Sequence, residues 1–133
     1  KNIYESKPIR IYGHGKMYRD FTYIDDVVDG ILKIISRGSL KFIDADIKND
    51  VPWEIYNIGN SKVVSLEKFV ERIEKYTGKK AIKKYIEMQP GDMKKTSANI
   101  NKIQKSFNFK PKTTINVGLL KFVEWYKNFY SIN

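Results

Sequence analysis

The residue types that carry out covalent or metal chemistry are scarce in this chain. It has one histidine, His14, and no cysteine. A thiolate or multi-imidazole metal cluster is therefore unavailable, and any Ser-His-Asp arrangement would have to rest on His14. His14 lies in Gly13-His14-Gly15-Lys16, which reads as a turn. The Gly13-x-Gly15 pair lacks a third glycine and a following helix, so it is not a dinucleotide fingerprint. Two Tyr-x-x-x-Lys spacings occur, Tyr12 to Lys16 and Tyr76 to Lys80. On one helix face that spacing would let the ammonium lower the phenol's pKa. The first crosses two glycines in a turn and Gly78 interrupts the second, so both read as coincidences among nine tyrosines.

What remains is recognition of anions and hydroxyls. Arg19, one of four arginines, precedes Asp20-Phe21-Thr22-Tyr23 on a segment that reads as extended. A planar guanidinium there can fork onto a diphosphate, or it can pair structurally with Asp20 or Asp25. Residue chemistry leaves both open. Gln89-Pro90-Gly91-Asp92 places an amide and a carboxylate on a rigid loop, and a carboxylate suits the two hydroxyls of a ribose.

The elements that must hold these groups are short. Pro8 to Tyr12 reads as a strand, and Met17 to Ile24 as a second extended stretch. Asp25 and Asp26 are placed to cap a helix whose apolar face is Val27, Val28, Ile31, Leu32, Ile34 and Ile35, with Arg37-Gly38 as its expected end. Residues 39–53 form a polar connection, and Trp53 to Gly59 is expected to be a buried strand. Ser65 caps a helix bearing Leu66, Phe69, Val70, Ile73 and Tyr76, closed by Gly78. Ala81 to Met88 is a further strand candidate. Asn99 is placed to cap a short helix over Ile100, Ile103 and Phe107, with Asn108 at its left-handed exit. Thr114 starts the last helix, striped by Ile115, Leu119, Phe122, Val123, Tyr126 and Tyr130. The stripes are expected to be core, and the whole to be one domain spanning residues 1–133, α+β or the trailing half of an α/β protein.

Composition narrows the partners. The net charge of +10 invites a nucleic-acid reading, but Lys supplies 21 of the 25 basic residues. Arg, the residue of bidentate phosphate and base contacts, is rare, and the lysines are scattered. A solvated Lys-rich surface, or a field that draws in a small anion, fits better than nucleic acid. No apolar run approaches the roughly 20 residues of a membrane helix. Lys1 to Pro8 has no apolar secretory core and reads like the tail of a helix. With no cysteine to oxidise, a cytoplasmic setting is expected.

The order of motifs adds a resemblance. Gly15 to Ile31, with Arg19-Asp20-Phe21-Thr22-Tyr23-Ile24-Asp25-Asp26 at its centre, resembles a segment of the extended short-chain dehydrogenase/reductase sugar-nucleotide epimerases. Trp53 to Asn60 followed by Val64-Ser65-Leu66 is similar to the family's next block. Met88-Gln89-Pro90-Gly91-Asp92-Met93 with Thr96-Ser97-Ala98 resembles the variant of UDP-glucuronate 4-epimerases and capsule-type relatives. Phe109 to Thr114, then Gly118, Phe122, Trp125 and Tyr126, is similar to the closing helix.

The resemblance implies a small carboxy-terminal substrate-binding lobe of an extended short-chain dehydrogenase/reductase enzyme. On that view an amino-terminal NAD-binding Rossmann domain, carrying the glycine fingerprint and the catalytic Tyr-x-x-x-Lys, is missing here. No catalytic residue and no cofactor are expected in this piece, whereas the parent would hold NAD, form a homodimer and act on a UDP-sugar. Arg19 then corresponds to the diphosphate-contacting arginine and Asp92 to the carboxylate near the uridine ribose. Gln89 stands where galactose-type epimerases carry arginine, and Asn99 replaces the usual Asp. A dehydratase or decarboxylase on the same scaffold is the nearest alternative, and a basic polyanion-binding module is the alternative from another class.

Overall fold

The computed structural model describes residues 1–43 and 54–132. In chain order the elements are β1 (Pro8–Ile11), β2 (Tyr18–Asp20), α1 (Ile24–Ile43), β3 (Val63–Ser65), α2 (Leu66–Thr77), β4 (Ile82–Tyr85), α3 (Asn101–Phe107) and α4 (Ile115–Phe129). The strands form two separate pairs. β1 lies parallel to β4 in the register Pro8 to Ile82, and β2 lies antiparallel to β3 in the register Arg19 to Val64. α2 packs on α4 and α1 on α3. The α+β class expected from the sequence is the class observed.

Local chemistry explains most element ends. The Ser65 hydroxyl accepts the Lys68 N–H at 3.3 Å, and Gly78 closes α2 at φ 69°. The Thr114 hydroxyl accepts the Val117 N–H at 3.4 Å at the head of α4. Asn108 ends α3 in the left-handed conformation at φ 52°. Asn99 caps one step early: its side chain accepts the Asn101 N–H at 3.1 Å, while Ile100 occupies the capping position without a side-chain bond. Residues 1–7 carry the hydrogen bonds of a helix terminus. Lys7 N–H donates to the Asn2 carbonyl and Ser6 N–H to that of Ile3, with Ser6 left-handed at φ 54°.

Three expectations are corrected. α1 runs through Arg37-Gly38 to Ile43, because a helical glycine costs only about 1 kcal/mol and nothing there forces a break. Asp25 and Asp26 do not cap it with their side chains. Asp26 instead accepts the N–H groups of Lys112 and Thr113 at 3.1 and 2.9 Å, tying the start of α1 to the segment before α4. Residues 54–58 carry no strand pairing, and Ile55 is 68% exposed. No other strand lies beside them among the described residues to complete a ladder. Trp53 lies outside those residues, as does the 44–53 part of the polar connection.

The apolar stripes are core only in part. Ile100, Ile103, Phe107 and Phe109 form a buried cluster, against which Ile34, Tyr56, Ile58 and Ala98 pack. Val70 of α2 and Leu119 and Val123 of α4 are buried as well. Leu32 and Ile35 of α1, and Phe122, Trp125 and Phe129 of α4, lie exposed. No described element packs over those faces.

Candidate functional site

β2 and the loop after β4 converge on one pair of side chains. Strand alternation sends Arg19 to one side of β2 and its neighbours Tyr18 and Asp20 to the other. The Arg19 Nη2 donates to Asp92 Oδ1 at 2.6 Å and contacts the Met17 sulfur at 3.6 Å, while Nη1 donates to the Tyr18 carbonyl at 2.9 Å. Both side chains are partly open, Arg19 at 24% and Asp92 at 31% exposure. Arg19 therefore pairs with neither Asp20 nor Asp25. The Asp20 carboxylate points to backbone N–H groups, and Asp25 faces Lys121 at 3.7 Å.

The turn supplying Asp92 follows from its residues. The Gln89 carbonyl accepts the Asp92 N–H at 3.1 Å. Pro90 sits at the second position and Gly91 at the third with φ 81°, the residue types that such a turn requires. Asp92 Oδ1 also accepts the Met93 N–H at 2.8 Å. Its Oδ2 takes no hydrogen bond from the described residues, so one acceptor remains open beside a guanidinium. Of the three residues singled out from the sequence, the structure brings Arg19 and Asp92 into contact. Gln89 takes part through its backbone carbonyl, and its exposed side chain forms no hydrogen bond to either.

Two groups escaped the sequence reading. Asp20 accepts N–H groups from Asn60 at 3.0 Å, Ser61 at 3.0 Å and Ala98 at 2.9 Å. Its place directly after the arginine on a strand was the available signal, since alternation excludes it from the guanidinium's side. The second group joins α2 to β4. Lys83 Nζ contacts Glu67 at 2.8 Å and Glu74 at 3.5 Å, and the Tyr85 hydroxyl donates to Glu67 at 3.0 Å. The hydrogen bond to Glu67 raises the Lys83 pKa, against the opposing effect of burial. The Ala81 N–H, donating at 2.8 Å, holds Glu74 below the ordinary carboxylate range, also against burial and with help from Lys83 and Lys80. This cluster fastens α2 to β4 around the buried Glu74, while Glu67 and the exposed Tyr85 also border an open cavity with His14, Lys16 and Tyr18.

An apolar groove of about 510 Å³ runs between α1, α2 and α4, bordered by Phe21, Tyr23, Phe69, Gly118, Leu119 and Phe122. Phe21 stacks on Phe69 at 3.9 Å, anchoring the end of β2 to α2. Among the described residues, no group of three or more His, Cys, Asp or Glu could hold a metal ion, and no helix is long and apolar enough to cross a membrane.

The Gly13–Gly15 turn does not fit the pyrophosphate of NAD. The Gly13–Gly15 turn leads into β2 and not into a helix, so no helix terminus is there to receive a pyrophosphate. A Cβ on Gly13 would meet Met17 Cγ at 2.8 Å, and one on Gly15 would meet Glu67 Oε2 at 2.7 Å. Both glycines serve close packing within the chain.

Comparison with known proteins gives the chain's family. The sequence pattern of a family described as GDP-mannose 4,6 dehydratase matches residues 1–122. Protein CapI of Staphylococcus aureus is 41% identical over 136 residues, which cover 98% of this chain and 41% of that protein. UDP-glucuronate 4-epimerase 1 of Arabidopsis thaliana is 39% identical over 139 residues, covering 100% of this chain and 32% of that protein. The UDP-glucuronic acid 4-epimerase of Bacillus cereus, solved in complex with UDP-glucuronic acid and NAD, matches with a TM-score of 0.79 at 30% identity. That match covers 97% of this chain and 38% of the Bacillus chain. The chain thus spans well under half the length of the relatives it matches.

Proposed function

Since the chain belongs to the GDP-mannose 4,6 dehydratase family, we propose that it is the UDP-sugar-binding part of an NAD-dependent nucleotide-sugar 4-epimerase. The activity is of the UDP-glucuronate type and serves surface-polysaccharide synthesis in the cytoplasm. The observation that carries this reading is the Arg19–Asp92 pair, half-open and held on β2 and a Pro-Gly turn. Arg19 gives a diphosphate a fixed, charge-assisted donor. Asp92 Oδ2 accepts from the ribose hydroxyls beside it. Gln89 lies at the rim of the same turn and meets the ligand from there. Hydride transfer and the NAD site belong to a Rossmann domain outside residues 1–133, so this part holds, orients and does not react. In the full enzyme two copies associate as a homodimer.

Titration of the 133-residue chain with UDP, inorganic phosphate and NAD tests the assignment. Saturable UDP binding, tighter than phosphate and much less dependent on salt than nonspecific polyanion binding, is the expected result. Nonspecific polyanion binding would instead weaken steeply as salt rises. NAD should give no signal, and UDP-glucuronate should not be converted to UDP-galacturonate. Conversion above a mock-purified control would overturn the division of labour, and UDP binding no tighter than phosphate would overturn the substrate assignment.

A further inference from the structure

β2 has two neighbours, and only one of them is β3. Along its other edge the 94–98 segment runs parallel to it. The Tyr18 N–H donates to the Lys94 carbonyl at 2.9 Å and the Thr96 N–H donates to the Tyr18 carbonyl at 3.1 Å. These are the two bonds of a parallel ladder centred on the Tyr18–Lys95 bridge. In that pattern the next two bonds would run from the Asp20 N–H to the Thr96 carbonyl and from the Ala98 N–H to the main-chain carbonyl of residue 20. The Ala98 N–H donates instead to the side chain of Asp20, at 2.9 Å from Oδ2. A carboxylate has replaced a peptide carbonyl as the acceptor of the second rung.

The substitution matters because of what lies between the rungs. Arg19 sits between Tyr18 and Asp20, and Asp92 lies two residues before Lys94. The separation of guanidinium and carboxylate is therefore governed by how firmly the 94–98 segment is held to β2. Asp20 holds it more firmly than a carbonyl could. The same carboxylate accepts the N–H groups of Asn60 and Ser61, both at 3.0 Å. The Ser61 hydroxyl adds a bond to the Ala98 carbonyl at 2.7 Å. Three chain segments thus meet on one charged group. An asparagine there would turn an NH2 toward at least one N–H donor.

We propose that Asp20 is a positioning residue for diphosphate recognition, setting the distance between Arg19 and Asp92 by clamping the 94–98 segment to β2 without touching the ligand. The inference rests on the reading of Arg19 and Asp92 as the UDP contacts. A double-mutant cycle on the 133-residue chain tests it, with UDP affinity measured by calorimetry for Asp20→Asn, Arg19→Ala and the double variant. Groups that act through one another are coupled, so Asp20→Asn should weaken UDP binding about tenfold alone and less than about twofold in the Arg19→Ala background. Ala98→Pro, which removes the donor of the second rung and adds a ring that fixes φ there, should show at least the single-variant loss. Amide exchange at Thr96 and Ala98 should accelerate in Asp20→Asn.

Losses that multiply independently, or unchanged UDP affinity in folded Asp20→Asn, would overturn the positioning role. If Asp20→Asn fails to fold, Ala98→Pro decides the matter by the same criterion. Unfolding of both variants would overturn the role in favour of a purely structural one. If the wild-type chain binds no UDP, or Arg19→Ala leaves its affinity intact, the contact reading falls and the inference falls with it. UDP binding that depends on Arg19 but is indifferent to Asp20 removes the inference alone.

Discussion

Arg19 already donates to a carboxylate, so a diphosphate must either displace Asp92 or share the guanidinium with it. The geometry favours sharing, because Nη2 holds Asp92 while Nη1 holds only the Tyr18 carbonyl. Arg19→Ala should therefore weaken UDP binding by roughly 1.5–3 kcal/mol, about 10- to 150-fold. Arg19→Lys should recover only part of that, since an ammonium keeps the charge and loses the fork. Calorimetric titration beside a melting curve separates lost contact from lost fold. Unchanged affinity in a folded Arg19→Ala variant would remove Arg19 from the site. Glu74 makes a different prediction. Its folded pKa lies below the reference value of 4.5, chiefly through the Ala81 N–H. The stability it contributes is fully present above its unfolded pKa and disappears as pH falls through the lower folded value. Denaturant melts between about pH 3 and 6 should show a shallower acid limb for Glu74→Gln than for the wild type. Each half of the recognition pair was legible in the sequence as a residue type suited to phosphate or to a diol. Their contact was not, because it joins positions 73 residues apart and residue types carry no record of distance.

At the level of elements, what could be read was whatever local chemistry specifies. Ser65, Thr114, Gly78 and Asn108 each mark a helix end through a bond or a backbone angle set within a few residues. Strands were harder. β3 is three residues long, too short for alternation to register, and the apolar run from Ile55 reads as a strand but finds no partner among the described residues. Whether such a run pairs is decided by its neighbours, which local sequence does not contain. Two glycines separate these influences experimentally. A Cβ on Gly59 would lie 2.4 Å from Ala98 Cβ and 3.1 Å from Asp20 Oδ2, while one on Gly78 meets nothing within 4 Å. Gly78→Ala should thus cost only its left-handed backbone, about 1–2 kcal/mol. Gly59→Ala should cost about 1–3 kcal/mol through overpacking and should also lower UDP affinity, because it presses on the Asp20 junction. Urea midpoints and UDP titration of the two variants check this. Equal UDP affinity in both would mean that the junction does not reach the site.

For the molecule as a whole, the exposed faces of α1 and α4 set the behaviour in solution. Leu32 at 58%, Ile35 at 67% and Phe129 at 65% exposure lie on helices that otherwise carry core residues. Contiguous apolar surface of this kind drives association. Light scattering of the isolated chain should show self-association that grows with concentration, and Leu32→Glu with Ile35→Lys should reduce it. A sharp monomer peak with cooperative unfolding would contradict that expectation.

The bond from Ala98 to Asp20 spans 78 residues, and this has a consequence for the order of assembly. Helix α2, with both caps inside its own neighbourhood, can form without waiting for distant partners. The Arg19–Asp92 pair must wait for a long loop to close, with the entropy of closure met before the contacts reward it. On the ribosome, β2 emerges long before the segment that will cover its second edge. Until Ala98 has been made, that edge is open, with Arg19 and Asp20 projecting from opposite faces of the strand beside it. Adjacent charges on a short strand are the feature that discourages edge-to-edge pairing. The two residues proposed for ligand recognition and its positioning therefore also protect the nascent strand until its partner arrives.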